Sequence, residues 1–462
     1  ATPQPRSSPK LPTRAPPPLQ KCVRSTSRTT PPVVSQPPAS RNRPHLYPGA
    51  AIGCSGRQYT VLEPLGKGSF GAVWRAEGDQ GGTVAIKEIS CSSEEELARV
   101  VAEGQLLKVV RQEVMKLEGT AMEHIPLLLG AEVETVATRS WHVRLVMSEV
   151  PGSQLEEVLN KRHRAESLRD AMTTQQRQAL FAEACCCAGE LVGQLAPIAQ
   201  AFSATVYHRD ITPRNIQVTS LGSGRPRFGL VDFGLAVSAE NWRTQEGPCD
   251  LGGDGRYWPP SAWFVFGNGV TELRRHPTMY HEYTRCLDIH SLGLTGVQCF
   301  VQMLPKLGVA SDDGHWSAKV LARLNDVQVA WRRYWATACE CWQPVYDAFL
   351  TAGGFEALRK RYAAQAVHET VTADLGALRR ALVEAEVALQ GLPESTGLAC
   401  ASALFRALLS MLQAPSSAQC GPMPMSRWPS GSTLASLADS SSLASPMSSS
   451  ASSSPDAFFP GA

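Results

Sequence analysis

The sequence lacks an excess of charge of either sign. Its 462 residues include 44 Lys and Arg against 42 Asp and Glu, which gives a formal net charge of +2 at pH 7. A strong overall field, of the kind that attracts nucleic acid or an anionic membrane surface, is therefore absent. The charge balance gives no indication of a nucleic-acid partner.

Long uninterrupted apolar segments are also scarce. The best candidate, Phe181–Val206, is interrupted by Glu183, Glu190 and Pro197, whereas a membrane-spanning helix needs about 20 predominantly apolar residues. We therefore predict no membrane span and interpret this segment as a buried core helix. The hydrophobic content of 43% is ample for such a core.

The 13 cysteines lack the paired spacing of a metal site. Residues 185–187 are consecutive cysteines, and Cys339 and Cys341 have no second pair nearby. Consecutive side chains fan around a helix instead of converging on one ion. We expect free thiols in a reducing compartment, and hence a cytoplasmic or nuclear protein. Because the sequence begins at Ala1 and not at Met, a targeting segment that precedes it is an open alternative.

Acidic residues are missing from positions 1–57, which are rich in proline and carry scattered Arg and Lys. Such a segment cannot bury enough apolar surface to fold alone, so we predict a disordered basic extension. A proline-rich docking segment and the remnant of a transit peptide are the alternatives. Residues 413–462 are rich in Ser, Ala and Pro and predict a disordered tail, in which Ser445 and Ser454 precede prolines.

Between these ends, the pattern changes from strands to helices. Residues 58–150 predict one helix, which starts after Ser93 with acidic residues in its first turn. Apolar residues at spacings of three and four predict helices in residues 153–206 and 288–412. Five apolar segments of the first region are typical of strands: Tyr59–Leu65, Ala72–Glu77, Thr83–Ile89, Val133–Ala137 and Trp141–Val150.

Three glycines, Gly66, Gly68 and Gly71, lie between the first two predicted strands in Leu65–Val73 (LGKGSFGAV). Because glycine has no side chain, such a turn can lie close over phosphate groups and offer them backbone N–H groups. An ordinary glycine-rich hairpin is the alternative. Lys87 ends the apolar segment VAIK and favours the phosphate interpretation, because its charged tip needs a partner.

Two further motifs follow, His208–Asn215 (HRDITPRN) and Asp232–Gly234 (DFG), the latter directly after an apolar segment. Carboxylate and amide oxygens are the ligands that hard cations such as Mg²⁺ prefer. Each motif is weak alone. In this order and spacing, the glycine turn, VAIK, HRDITPRN and DFG together resemble the catalytic domain of eukaryotic protein kinases.

The resemblance implies an α+β, bilobal kinase-like fold over residues 58–412. A five-stranded small lobe would cover residues 58–150 and a mainly helical large lobe residues 151–412. The implied reaction transfers the γ-phosphoryl group of ATP, with Mg²⁺, to a Ser or Thr hydroxyl of a protein substrate. By resemblance, Asp210 is the catalytic base, Asn215 holds Asp210 and binds metal, and Asp232 is the second metal ligand.

The nucleotide site follows from the same resemblance. Lys87 would contact the α- and β-phosphates and pair with Glu103, whose context EGQLLK resembles the family's E-x-x-L-L-K helix. Glu94–Glu96 come too soon after the strand, and Phe70 would shield the loop from water. The other implied nucleotide contacts are Leu65, Gly66, Gly68, Gly71, Val73, Ala85, Met147 behind the pocket, and the backbone of Val150.

Four more positions have implied roles. Asp288 begins a helix that resembles the family's D-x-x-S-L-G helix, whose Asp anchors the backbone of the catalytic loop. Arg209 would dock a phosphorylated activation loop. Ser238 and Thr244 lie between DFG and the later PPS segment, and are the candidates for that phosphorylation.

Some positions depart from the family pattern. Thr212 stands where Ser/Thr kinases usually have a lysine that stabilises the transferred phosphate, and Arg214 is a candidate substitute. Gly253–Ser261 (GDGRYWPPS) resembles G-T-x-x-Y-x-A-P-E, with Asp254 for Thr. Ser261 replaces a Glu that normally forms a buried ion pair with an Arg of the large lobe. Gln217 takes the place of an apolar residue under adenine.

Two alternatives stay open. The residues Thr212, Asp254 and Ser261 motivate a pseudokinase scaffold that binds nucleotide without phosphoryl transfer, although the intact catalytic set disfavours it. The second alternative is a small-molecule kinase on a related fold. The loop between DFG and the PPS segment, which contains Tyr257, favours protein substrates instead. The preference for Ser/Thr over Tyr and the oligomeric state are not determined by the sequence.

Overall fold

The computed structural model describes residues 46–68, 71–117, 121–166, 174–219, 225–244, 251–304, 318–349, 354–390 and 399–413. The predictions for Phe70, Ser445 and Ser454 lie outside these ranges, as do those for residues 1–45 and 414–462.

An antiparallel sheet in the order β1-β2-β3-β4-β6-β5 forms the small lobe. One face carries the buried side chains of Trp74, Ile86 and Val146. The opposite face carries Lys87 and turns toward the large lobe. The strands are β1 (Ala51–Cys54), β2 (Arg57–Gly68), β3 (Gly71–Gly78), β4 (Thr83–Cys91), β5 (Leu128–Ala137) and β6 (Ser140–Ser148).

The prediction of five strands was one strand short, because β1 lies inside the segment assigned to the basic extension. Ile52 and Cys54 alternate with exposed neighbours and are buried. Ser55 and Gly56 form the turn with φ of 52° and 79°, which is the left-handed geometry of a two-residue hairpin. The Ser55 hydroxyl also accepts the Ala131 N–H at 3.3 Å, which brings this turn against β5.

Helix α1 (Glu94–Val114) begins where the sequence predicts. Ser93 is its N-cap, and its side chain accepts the Glu96 N–H at 3.2 Å. The carboxylate of Glu96 reaches back to the Ser92 N–H at 2.7 Å, so backbone donors at both sides of the helix start are satisfied. The buried face of α1 carries Glu103 and, one turn on, Leu107.

The large lobe is mainly helical, which confirms the bilobal α+β prediction. Phe300 lies between Phe181 and Phe405, with ring centroids 6.0 Å and 5.2 Å apart in edge contacts that join α3, α8 and α12. The helices are α2 (Leu155–Glu166), α3 (Thr174–Phe202), α4 (Ala239–Thr244), α5 (Pro260–Asn268), α6 (Val270–Leu273), α7 (Pro277–Arg285), α8 (Leu287–Met303), α9 (Ala318–Phe349), α10 (Phe355–Ala364), α11 (Val367–Gln390) and α12 (Ala399–Leu412). Short strands are β7 (Ser153–Gln154), β8 (Val206–Tyr207), β9 (Ile216–Thr219), β10 (Arg227–Leu230) and β11 (Val237–Ser238).

Among the described residues, Ala179–Phe202 of α3 is long and apolar enough to cross a membrane by length and composition alone. This corrects the expectation that no run meets that criterion. The most apolar stretch of this segment is 61% buried inside the protein, and Phe181, Ala188 and Leu191 are completely buried. The burial favours the core-helix interpretation, since a core helix can be equally apolar.

Candidate active site

Lys87 links the small lobe to the large lobe. It lies on β4 opposite Val73 of β3 and Leu145 of β6. Its Nζ donates to Glu103 Oε1 at 2.7 Å and to Asp232 Oδ1 at 2.9 Å. Burial alone would lower the pKa of Lys87, but the charges of Asp232 and Glu103 outweigh it and raise the pKa. Lys87 is therefore a stable cation between two carboxylates.

Asp232 follows β10 and has a left-handed φ of 62°. A non-glycine residue in this region is strained, and such strain is typical of functional sites. Its side chain stays 41% exposed. Burial would raise the pKa of Asp232, but the charge and hydrogen bond of Lys87 lower it below its ordinary value. Asp232 thus presents an ionised carboxylate to the cleft.

Asp210 is fixed by two neighbours. The amide nitrogen of Asn215 donates to Asp210 Oδ2 at 2.7 Å and to its carbonyl oxygen at 2.9 Å. The Asp254 N–H donates to Asp210 Oδ1 at 3.0 Å. Burial and the charge of Asp254 raise the pKa of Asp210 to about 6. The result is an oriented carboxylate that is ionised at neutral pH and close to the best pKa for a general base.

The loop that carries Asp210 and Asn215, residues 208–215, is anchored by Asp288, the second residue of α8. Asp288 accepts the His208 N–H at 2.7 Å and the Arg209 N–H at 2.8 Å. Arg209 needs this support because its φ of 67° is left-handed. Phe233 packs against the His208 ring at 4.6 Å, and burial lowers the pKa of His208 to about 4, so the imidazole is neutral. The anchoring that the resemblance implies for Asp288 is present.

The strands bring the predicted nucleotide positions onto one face. Ala85 lies opposite Met147 of β6, in the row next to Val73 and Lys87. Gly71 has φ of 145°, and a Cβ there would collide with the Glu88 carbonyl. The remaining predicted contacts flank this face: Leu65, Gly66 and Gly68 end β2, and Val150 follows β6.

The atypical positions have partners of their own. Thr212 is buried. The Nε of Arg214 donates to both carboxylate oxygens of Glu156 at 3.2 Å, so its described contact is with α2. Arg256 Nε donates to both oxygens of Asp254 at 2.9 Å and 3.0 Å. The carboxylate that replaces the family's Thr is therefore paired.

The phosphorylation candidates Ser238 and Thr244 lie on β11 and at the end of α4. Ser238 is half-buried on β11, and the Thr244 hydroxyl donates to the Glu240 carbonyl at 2.8 Å. Arg209 Nε donates to the Leu235 carbonyl at 2.6 Å, and its guanidinium lies 5.5 Å from the Trp242 ring centroid. Gln217 is half-buried on β9.

Two arrangements were missed by sequence reasoning. Arg75 donates through Nη2 to Glu149 at 2.6 Å and also pairs with Glu63, which ties the glycine hairpin to the segment before Val150. Arg75 lies two residues after Val73 on β3, and this spacing indicates that both side chains are on the same face of the sheet. The other is a contact between Ser261 and Glu282, for which no local signal exists.

The donor atoms near the cleft fit Mg²⁺. Asn215 uses its amide nitrogen on Asp210, which leaves the amide oxygen as the atom for a cation, and Asp232 has an ionised carboxylate. These are the hard oxygen ligands that Mg²⁺ combines with phosphate oxygens. Within the described ranges, no group of three or more His, Cys, Asp or Glu side chains forms a complete metal site.

Comparison with known proteins identifies the family. Residues 59–334 match the sequence model of the Protein kinase domain, so the chain belongs to the protein kinase family. It is 27% identical over 296 residues to Mitogen-activated protein kinase 12 of Oryza sativa subsp. japonica, covering 61% of this chain and 42% of that protein. It is 27% identical over 258 residues to Serine/threonine-protein kinase mos of Gallus gallus, covering 54% of this chain and 63% of that protein. The chain thus spans less than two thirds of either relative. Members of this family generally use ATP and Mg²⁺.

Proposed function

We propose that this protein is an active Ser/Thr protein kinase that transfers the γ-phosphoryl group of ATP to protein hydroxyls. The observation that carries the proposal is the contact of Lys87 with both Glu103 and Asp232. It aligns α1, the phosphate-binding lysine and a metal-binding carboxylate in one cleft. Phosphoryl transfer depends mainly on such positioning and on charge neutralisation.

Asp210 acts as the base. Held by Asn215 and Asp254, its carboxylate orients the substrate hydroxyl and accepts its proton. The hydroxyl oxygen bonds to the γ-phosphorus while the bond to the β,γ-bridging oxygen breaks, so a phosphoester and ADP result. One relative is named a serine/threonine-protein kinase, and a Ser or Thr hydroxyl is the proposed acceptor here.

The metal would be held by Asp232 and Asn215. When bound, Mg²⁺ neutralises phosphate charge and shields the developing negative charge of the reaction. Lys87 binds the phosphates from the small-lobe side, and its raised pKa keeps it charged. The glycines Gly66, Gly68 and Gly71 let the β2–β3 turn approach the phosphates.

A nucleotide-binding scaffold is the second candidate. The buried Thr212 favours it, because a threonine hydroxyl supplies no positive charge to the transferred phosphate. The candidate substitute that the sequence offers, Arg214, contacts Glu156 in the described structure. In this reading the residues proposed to bind nucleotide are all present, and only the positive charge beside the transferred phosphate is missing.

Transfer from γ-labelled ATP to generic protein substrates tests the proposal, with wild type beside Asp210→Asn. The matched control is Asp326→Asn, which changes a half-exposed carboxylate on α9. We expect label on Ser and Thr for wild type and control, a loss of about 10²-fold or more for Asp210→Asn, and no transfer after chelation of divalent cations. Equal background label from wild type and Asp210→Asn would overturn the enzyme. ATP binding without transfer supports the scaffold, and label only on small molecules supports the related-fold alternative.

A further inference from the structure

The start of helix α5 depends on a carboxylate from another helix. Ser261, the second residue of α5, donates its backbone N–H to Glu282 Oε2 at 3.0 Å. Both residues are buried, with Glu282 only 5% exposed. The first N–H groups of a helix have no partner inside it and carry partial positive charge, so a buried carboxylate stabilises this end.

The charge of Arg379, a half-buried residue on a third helix, also acts on Glu282. Burial raises the pKa of Glu282, whereas the Ser261 hydrogen bonds and the charge of Arg379 on α11 oppose the rise. Reciprocally, burial lowers the pKa of Arg379 and Glu282 opposes it. Opposite charges that are buried together stabilise each other more strongly than in water. Glu282 therefore has a hydrogen bond from the α5 backbone, and the charge of Arg379 favours its ionised form.

The segment between Asp254 and Ser261 reaches from this contact to Asp210. Its first end donates the Asp254 N–H to Asp210. Its middle is held by α8, because Ser291 Oγ donates to the Tyr257 carbonyl at 3.0 Å. Tyr257 in turn donates its hydroxyl to Gln298 Oε1 at 2.6 Å. Glu282 holds the last end, so the whole segment is fixed at three points.

We propose that Glu282, through its hydrogen bond from the Ser261 N–H, is the positioning residue for segment 254–261. The resemblance implies a Glu at position 261, which would form a buried ion pair with an Arg of the large lobe. Here the carboxylate comes from α7 and reaches the Ser261 backbone instead. The consequence for substrate binding rests on the proposed function, because only a protein kinase requires this segment to receive a protein substrate beside Asp210.

Hydrogen exchange followed by mass spectrometry tests the positioning without any activity. The variants are Glu282→Ala and Glu282→Gln, the latter with nearly unchanged volume. The control is Glu272→Gln, which changes an exposed carboxylate on neighbouring α6. We expect amides of residues 252–266 to exchange about tenfold faster or more in the Glu282 variants, because a hydrogen bond to a charged group is lost. Wild-type exchange in Glu282→Gln would overturn the proposal even if Glu282→Ala unfolds.

The role of Arg379 is tested by a double-mutant cycle. Arg379→Met is compared with Arg380→Met, a substitution of the adjacent exposed arginine. If Arg379 acts through Glu282, the combination of Glu282→Gln and Arg379→Met will accelerate exchange no more than the stronger single variant. If the two substitutions accelerate exchange additively, Arg379 does not act through Glu282.

Kinetics then separate positioning from general destabilisation. With Glu282→Gln, we expect KM for a protein substrate to rise about threefold or more while KM for ATP stays unchanged. Equal changes in both constants would contradict a role specific to segment 254–261. If wild type transfers no phosphate, the proposed function fails, and the exchange experiment still decides whether Glu282 positions the segment.

Discussion

The Asp254 N–H donates to Oδ1 of Asp210 at 3.0 Å, and burial together with the charge of the Asp254 carboxylate raises the pKa of Asp210 to about 6. One residue thus orients the proposed base and also makes it harder to ionise. Arg256 pairs with the Asp254 carboxylate, which tempers this effect. We therefore expect Asp254 to contribute to the position of the acid limb of the pH–rate profile.

The first prediction concerns this acid limb. Wild-type kcat/KM should rise with pH between about pH 5 and 7, because a base must be ionised to accept a proton. In Asp254→Asn the negative charge disappears and Arg256 loses its partner. Both changes favour ionised Asp210, so the limb should move to lower pH. A pH–rate series at constant ionic strength measures it, with Asp326→Asn as control, and an unmoved limb in Asp254→Asn would contradict the assignment.

The second prediction concerns the anchor of the catalytic loop. Asp288→Asn leaves one acceptor oxygen for two buried N–H groups, His208 and Arg209. An unsatisfied buried donor costs about 1–3 kcal/mol, so urea unfolding should show a loss of that size, and activity should fall. Asp326→Asn should change neither.

Asp288 should also affect how stability depends on pH. Burial raises its pKa to about 6, so the folded state holds this proton more tightly than the unfolded chain. Its contribution to stability is therefore present below about pH 4 and is lost as pH rises through about 6. The difference in unfolding free energy between wild type and Asp288→Asn, followed across this range, should contain that change. A flat difference would argue against the raised pKa.

The third prediction concerns Lys87. Lys87→Met removes the proposed phosphate contact and leaves Glu103 and Asp232 without their shared cation. We expect phosphoryl transfer to fall by about 10²-fold or more and KM for ATP to rise. The matched control is Lys108→Met on the exposed side of α1. Initial rates at varied ATP concentration measure both, and a Lys87→Met variant with normal KM for ATP would contradict the assignment.

The fourth prediction compares two glycines of the same turn. Gly71 has φ of 145° and no room for a Cβ beside the Glu88 carbonyl, whereas a Cβ on Gly66 meets no atom within 4 Å. Gly71→Ala should therefore cost about 1–3 kcal/mol of stability, and Gly66→Ala should leave thermal unfolding nearly unchanged. Thermal denaturation of the two variants checks this, and equal midpoints would argue against the strained geometry at Gly71.

Much of the fold could be predicted from local patterns. The strand that carries Lys87 was predicted from its apolar segment, and the start of α1 was predicted from Ser93 and the acidic first turn. β1 was missed because Ala51–Cys54 is short and follows a proline-rich, basic segment. Its partner strand buries Ile52 and Cys54, and that burial is a property of the pair of strands.

The site followed the same division. The spacing of His208–Asn215 is short enough to determine that Asp210 and Asn215 meet, since only four residues of one tight loop lie between them. Arg75 had several acidic residues within reach along the chain, and the sequence did not indicate that Glu149 and Glu63 would be its partners. Charges with many possible partners are paired only when strands and helices are placed in space.

The sequence by itself therefore determined the family and predicted the candidate catalytic side chains and the glycine turn, because these depend on residue type and short spacing. Only the tertiary structure decided that Glu282 from α7 reaches the Ser261 N–H. It also decided that Asp254 meets both Asp210 and Arg256. The physical reason is that a buried hydrogen bond depends on where two distant elements pack, and local periodicity contains no information about that position.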